Sequence, residues 1–172
     1  MKSAHLSYYS RFPEAPISWW VGARSEGWLR RTTTGGQPKR PLRIEHPFWK
    51  QRKLWCLLSV HFQGVELRFA LPEELDLFMS VMSRNPLPSG RSLVPDCAIG
   101  RPNQHWLSRF PKEAKPWKFR QAICKYLSEC KTVKEFRAFY QQRPIQFKFE
   151  GVCASYFEVH AAVREQLSAS RR

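Results

Sequence analysis

The stretch that decides the fold is residues 53–71, KLWCLLSVHFQGVELRFAL. Apolar side chains occupy every second position over residues 54–62 and again over residues 65–69. Gln63-Gly64 separates the two runs, and a turn with glycine between two runs of period 2 is typical of a β-hairpin. Both faces of the first run are largely apolar, which predicts a strand in the middle of its sheet.

Helical patterns follow the hairpin. Residues 72–74, Pro-Glu-Glu, place a proline and acids in a first helical turn, and residues 75–82 continue with an apolar stripe at i, i+3, i+4 and i+7. Two further amphipathic helices are predicted, over about 116–130 and, from a capping box at Thr132 and Glu135, to about residue 142. The remaining predictions are a strand over 17–23, a short helix over 104–110 capped by Asn103, a strand over 145–149 and a helix over 152–167.

The predicted fold class is therefore α+β, with a small antiparallel sheet built on the β-hairpin (about 53–70) and packed by three to four helices. Residues 1–44 are predicted to be a partly ordered arm rich in aromatic and basic residues, part of which docks on the domain. Residues 45–168 are predicted to form a single globular α+β domain. Residues 169–172 are predicted to be a frayed basic tail.

The charge of the chain points to a polyanionic partner. The 172 residues have a formal net charge of +15 and a pI of about 10.1. Residues 1–54 carry eleven Lys/Arg and three Asp/Glu, residues 55–100 carry three and five, and residues 101–143 again carry eleven and three. Two basic blocks therefore flank a slightly acidic middle.

Cysteine usage and hydropathy bear on the compartment. The five cysteines are odd in number and include no C-x-x-C pair, and the N-terminus lacks the apolar core of a secretory signal. We therefore expect reduced thiols in a cytoplasmic protein. No apolar run approaches the roughly 18–20 residues that span a bilayer, so we expect no membrane partner.

Residues 100–126, GRPNQHWLSRFPKEAKPWKFRQAICKY, give the strongest functional signal. They contain seven Lys/Arg, one acid and five aromatic residues. Cations interleaved with aromatic faces suit a phosphate backbone and its exposed bases. The candidate contact residues are Arg101, His105, Trp106, Arg109, Lys112, Lys115, Trp117, Lys118, Arg120 and Lys125.

Residues 30–43 form a second candidate contact, a basic loop with Gly35-Gly36 and two prolines. Its candidate residues are Arg30, Arg31, Lys39 and Arg40. A phosphate-grasping arm and a solvated linker are equally compatible with this composition.

No motif of a known enzyme class occurs. The chain lacks a P-loop, a G-x-G-x-x-G fingerprint and a G-x-S-x-G elbow, so we expect no catalytic residues, no metal and no cofactor. The acids that a metal-dependent nuclease would need, such as Glu45 and Glu66, are scattered along the sequence. For His105, a structural role competes with contact to a ligand.

These patterns favour a non-enzymatic nucleic-acid-binding accessory protein that contacts phosphates of DNA or RNA with little sequence specificity. One alternative is a protein-binding inhibitor or an assembly subunit of a nucleoprotein complex, acting on an acidic protein surface. A weaker alternative is a metal-dependent nuclease. The small basic build suits an accessory protein of a mobile genetic element. The oligomeric state does not follow from the sequence.

Overall fold

The computed structural model describes residues 2–31, 40–94, 105–156 and 158–159. The chain divides into two compact units, the first made of Met1–Val21 with Leu54–Pro144 and the second of Gly22–Lys53 with Ile145–Arg172. The strands of the described residues are β1 (Lys2–Tyr9), β2 (Glu26–Leu29), β3 (Leu42–Glu45), β4 (Trp55–Phe62), β5 (Val65–Phe69) and β6 (Val152–Cys153). Their α-helices are α1 (Pro72–Met82), α2 (Trp117–Glu129) and α3 (Lys131–Gln141).

The predicted hairpin and its central strand are confirmed in the first unit. Its sheet has the order β1-β4-β5 with both pairings antiparallel, so β4 lies in the middle. Gln63 and Gly64 form the turn with φ of 49° and 82°. Two successive residues with positive φ match the twist of the flanking strands, which is why a short connection suffices here.

Aromatic side chains join the three helices to the sheet of the first unit. The ring of Phe62 lies 5.4 Å from that of Phe119 on α2, and the ring of Phe69 lies 5.3 Å from that of Phe78 on α1. On α3, the buried hydroxyl of Tyr140 accepts the N–H of Cys56 at 3.1 Å and lies 2.7 Å from the carbonyl oxygen of Ala70. The mixed α+β class is therefore confirmed.

A buried carboxyl group ties the start of α1 to the N-terminal segment. Glu74 is fully buried, and its Oε1 accepts the Ser18 hydroxyl at 2.6 Å while its Oε2 accepts the N–H of Ala70 at 2.7 Å. Burial raises the pKa of Glu74 to about 7, although both hydrogen bonds favour the ionised form. The hydroxyl of Ser18 also accepts the N–H of Ala15 at 2.8 Å.

The predicted strand over 17–23 is wrong. Ser18–Val21 is a 3₁₀ turn. Its N–H groups find local acceptors, because Ser18 donates to the carbonyl of Ala15 at 3.0 Å and Trp20 donates to that of Ile17 at 2.8 Å. Because these N–H groups are used within the turn, they are not available to pair with a neighbouring strand.

The start of α3 also differs from the capping box that its sequence predicts. The N-cap is Cys130, with no hydrogen bond from its side chain as a cap, and α3 begins at Lys131. α2 ends at Glu129, so Cys130 alone separates the two helices. Thr132 therefore lies in the first turn of α3 and not at its N-cap position.

The second unit contains a smaller antiparallel sheet with the order β3-β2-β6. The predicted strand over 145–149 is wrong, although its side chains alternate between half-buried and exposed as expected. The side-chain amide of Gln51 takes the place of a neighbouring strand: its Oε1 accepts the N–H of Gln146 at 2.8 Å and its Nε2 donates to the carbonyl of Gln146 at 2.7 Å. The ring of Phe147 stacks 5.5 Å from that of Phe48.

The other predictions for the C-terminal part are only partly covered. Val152–Cys153 forms β6, where the sequence predicted the start of a helix, and most of residues 154–167 and all of 169–172 lie outside the described residues. The predicted domain boundaries after residues 44 and 168 stay predictions. Among the described residues, no helix has the length and apolar character to cross a membrane.

Candidate nucleic-acid interface

The short helix predicted over 104–110 is a 3₁₀ turn, Trp106–Arg109, and its cap is a histidine. The Nδ1 atom of His105 accepts the N–H of Leu107 at 3.2 Å, and its ring lies 4.3 Å from that of Trp20. His105 is 2% exposed, and burial lowers its pKa. An acceptor at Nδ1 requires the neutral ring, so His105 has the structural role of a cap on this turn. The predicted cap Asn103 and the candidate contact Arg101 lie outside the described residues.

Trp106 belongs to the core of the first unit. It is 5% exposed, and its ring lies 5.8 Å from that of Phe78 and 5.9 Å from that of Phe110. Its burial removes Trp106 from the candidate contact surface, because a stacked base would need access to the ring.

Arg120 is the third candidate that the fold buries. It is 3% exposed, and its Nε donates to the carbonyl of Lys115 at 2.8 Å. Its Nη1 donates to the carbonyl of Met82 at 2.9 Å and to that of Arg84. Met82 is the last residue of α1 and Arg84 lies two residues beyond it, where the end of a helix leaves carbonyl acceptors without a helical partner. Arg120 therefore caps the C-terminus of α1. Burial lowers the pKa of the guanidinium, and an arginine keeps its charge nonetheless.

Trp117, the first residue of α2, is the exposed tryptophan of this region. It remains 36% exposed, and the guanidinium carbon of Arg120 lies 4.8 Å from the centre of its ring. Because three carbonyls hold the guanidinium, the cation over the ring is fixed in place.

Three lysines lie close to Trp117 in the chain. Lys112 and Lys118 are exposed and Lys115 is half-buried; we name these three lysines with Trp117 the basic-aromatic surface. Over residues 105–118 the one acid is Glu113. The first turn of α2 has no acidic residue, and its N-cap Pro116 makes no side-chain bond, so the positive end of the helix adds to the field of the lysines.

Two further candidates flank the basic-aromatic surface along the chain. Arg109 is exposed at the end of the 3₁₀ turn. Lys125 is exposed on α2, with its Nζ 4.0 Å from a carboxylate oxygen of Glu129. An exposed pair at that distance is worth little, so Lys125 remains able to exchange its partner.

The second basic set belongs to the second unit. Arg30, Arg31 and Arg40 are exposed, whereas Lys39 lies outside the described residues. Other cations of this unit are paired within it: Arg43 of β3 with Glu26, and Lys50 of the 3₁₀ turn Pro47–Lys50 with Glu45 at 2.8 Å.

His46 shows that histidine capping occurs in both units. Its Nδ1 accepts the N–H of Phe48 at 3.3 Å, and the 3₁₀ turn Pro47–Lys50 follows. His46 is buried, and its pKa is lowered by burial and by the charge of Arg24. Sequence analysis missed both caps. The available signal was a histidine two residues before an apolar residue, HPF and HWL, by analogy with the Asx and Ser caps.

The acids considered for metal chemistry do not come together. No three His, Cys, Asp or Glu side chains of the described residues are placed to hold a metal ion. Glu45, with Glu26 and Arg43, lines an open depression of about 400 Å³ in the second unit, where both carboxylates are paired with cations. Glu66 lies on β5 opposite His61 of β4.

The sequence matches no known family model, and neither a curated protein nor a solved structure matches the chain. Its function is therefore inferred from the geometry described above.

Proposed function

We propose that this protein is a non-enzymatic nucleic-acid-binding accessory protein that contacts the phosphate backbone through the basic-aromatic surface. One observation carries the proposal: Lys112, Trp117 and Lys118 stay exposed within seven residues of the chain, while the neighbouring polar side chains that packing requires, His105 and Arg120, are buried. Exposed cations with one acid among them in the sequence suit phosphates.

Phosphate contacts of this kind bind with little sequence specificity and depend steeply on salt. Arg30, Arg31 and Arg40 are exposed in the second unit and supply a second set of possible phosphate contacts. We propose the cytoplasm as the compartment, and the free thiols of Cys124, Cys130 and Cys153 support a reducing environment. A role in a mobile genetic element remains a proposal from the basic build of the chain.

The test is an anisotropy titration with single- and double-stranded DNA and RNA at several salt concentrations. Replacing both Lys112 and Lys118 with alanine should weaken binding and reduce the slope of log K against log salt by about 1 per lysine removed. The matched control is Lys131→Ala with Lys134→Ala, two exposed lysines in the first turns of α3. The control should change the slope less.

Absence of binding at low salt would refute the proposal and favour an acidic protein as the partner. Equal effects of the two double variants would mean that the charge acts diffusely and that the basic-aromatic surface is not a site.

A further inference from the structure

Trp117 differs from the other aromatic residues near it. Phe119 and Trp106 are 7% and 5% exposed, and Phe110 and Tyr126 are half-buried. Trp117 keeps 36% of its surface exposed although it begins a helix whose other large apolar side chains turn inward. Its aromatic side chain lies between two lysines of the chain. Lys115, which is half-buried, precedes it by two residues, and the exposed Lys118 follows it directly.

The ring of Trp117 is held before any ligand arrives. The guanidinium of Arg120 lies over it at 4.8 Å, and that guanidinium is itself fixed by the carbonyls of Lys115, Met82 and Arg84. A ring that is already fixed loses little conformational entropy when a flat ligand stacks on it. The cation also draws electron density from the ring, which favours contact with the electron-rich face of a base.

The chemistry of nucleic acids then discriminates between ligands. Phosphates are accessible in both single and double strands, so Lys112 and Lys118 serve either form. Base faces are accessible only where bases are unpaired and unstacked, and aromatic side chains that bind them are typical of single-strand recognition. An exposed tryptophan between lysines can therefore stack on a base of a single strand, whereas the bases of a duplex are not accessible to it.

From these observations we infer that Trp117 is a stacking platform for an unpaired base and that the ligand of the basic-aromatic surface is single-stranded nucleic acid. The inference rests on the proposed function and names its ligand. The lysines hold the phosphates on either side of the stacked base.

The experiment compares wild type, Trp117→Ala and Lys118→Ala on a labelled 20-nucleotide single strand and on the duplex of the same length. Trp117→Ala should weaken single-strand binding by about tenfold or more and leave duplex binding within about twofold, because stacking is lost and phosphate contacts are kept. Lys118→Ala, the matched control next along α2, should weaken both by similar factors. Repeating the titration with single-stranded RNA tests whether the sugar matters.

Far-ultraviolet circular dichroism and thermal melting establish that each variant is folded. Trp117→Leu keeps apolar volume under Arg120 and removes the aromatic face. It should therefore show the same selective loss of single-strand affinity as is expected of Trp117→Ala, and it provides the test if the alanine variant does not fold. Trp117→Phe keeps an aromatic face and should retain most of the single-strand affinity.

The outcomes separate the two levels of the argument. If wild type binds neither form at low salt, the proposed function fails. If wild type binds and the tryptophan variants weaken both forms equally or neither form, the stacking inference is wrong while the proposed function stands. A selective loss on the single strand supports both.

Discussion

Residues 105–120 contain two sets of cationic and aromatic side chains, of which one is buried and the other is exposed. His105, Trp106 and Arg120 are at most 5% exposed, and we call them the buried half. Lys112, Trp117 and Lys118 are exposed, and we call them the exposed half. Both halves have similar composition and lie within residues 105–120. Cations and aromatic residues that are close together in a sequence therefore do not by themselves form one exposed surface.

Lys118 and Arg120 show what separates the halves. They are two residues apart on α2, which places them about 200° apart around the helix. The side facing α1 meets carbonyls at the end of that helix, and the planar guanidinium of Arg120 reaches three acceptors at once. Lys118 faces solvent, where only a ligand supplies a partner.

The largest expected effect contrasts the two tryptophans. Trp106→Ala should lower the free energy of unfolding by about 3–5 kcal/mol, because it leaves a cavity beside Phe78 and Phe110. Trp117→Ala should cost less, about 1–2 kcal/mol, because a side chain that is 36% exposed leaves no closed cavity when it is removed, although its packing and its contact with Arg120 are lost. Urea unfolding of both variants measures the difference. Equal losses of stability would mean that the two tryptophans do not differ in their contribution to the core.

The next contrast is between the two cations of α2. Arg120→Ala should lower the free energy of unfolding by about 3 kcal/mol, because carbonyls of Met82, Arg84 and Lys115 lose their donor. Lys118→Ala should stay within about 0.5 kcal/mol of wild type. Denaturant titration is again the measurement. A small effect of Arg120→Ala would mean that water replaces the guanidinium and that the buried half is less tightly constrained than its contacts imply.

Glu74, on the helix α1 against which Trp106 packs, should make the free energy of unfolding depend on pH. The carboxyl has an ordinary pKa of 4.5 and a pKa of about 7 in the folded chain, so the folded state holds the proton more tightly. This contribution to stability is fully present below pH 4.5 and is lost as the pH rises through 7. It amounts to roughly 3 kcal/mol, at about 1.4 kcal/mol per pKa unit.

Glu74→Gln should therefore gain stability relative to wild type as the pH rises from 4.5 to 8, when both are unfolded in urea at each pH. The amide keeps an acceptor for Ser18 or Ala70 and has no charge to bury. A constant difference between the two proteins across this range would show that Glu74 does not titrate as its burial implies.

The smallest of these effects on stability is expected at the histidine cap, His105. Its contribution is lost as the pH falls, whereas that of Glu74 is lost as the pH rises. His105 has a pKa below the ordinary 6.5, so its contribution is present above pH 6.5 and is lost as the pH falls through the folded value. His105→Ala should cost about 1 kcal/mol at pH 8, as loss of a cap does. His105→Asn should restore part of it without the pH dependence, because the asparagine oxygen accepts the same N–H. If the asparagine and alanine variants melt at the same temperature, capping is not the role of His105.

Elements with local causes were predictable from the sequence. The hairpin followed from two runs of period 2 around Gln63-Gly64, and α1 followed from its proline, its acids and its apolar stripe. A distant partner accounts for the wrong strand over 145–149. The alternation over 145–149 predicted a strand, and its side chains do alternate between half-buried and exposed, yet the backbone of Gln146 pairs with the side chain of Gln51, 95 residues earlier.

The sequence by itself determined the α+β class, the central hairpin, the start of α1 and the concentration of positive charge in two blocks, because period, turn residues and composition are local properties. The tertiary structure alone decided which cations and aromatics stay accessible. Arg120 is buried because carbonyls 36 and 38 residues before it needed a donor, and Trp117 is left exposed over it. Such pairings depend on where α1 ends in space, and no local pattern records that position.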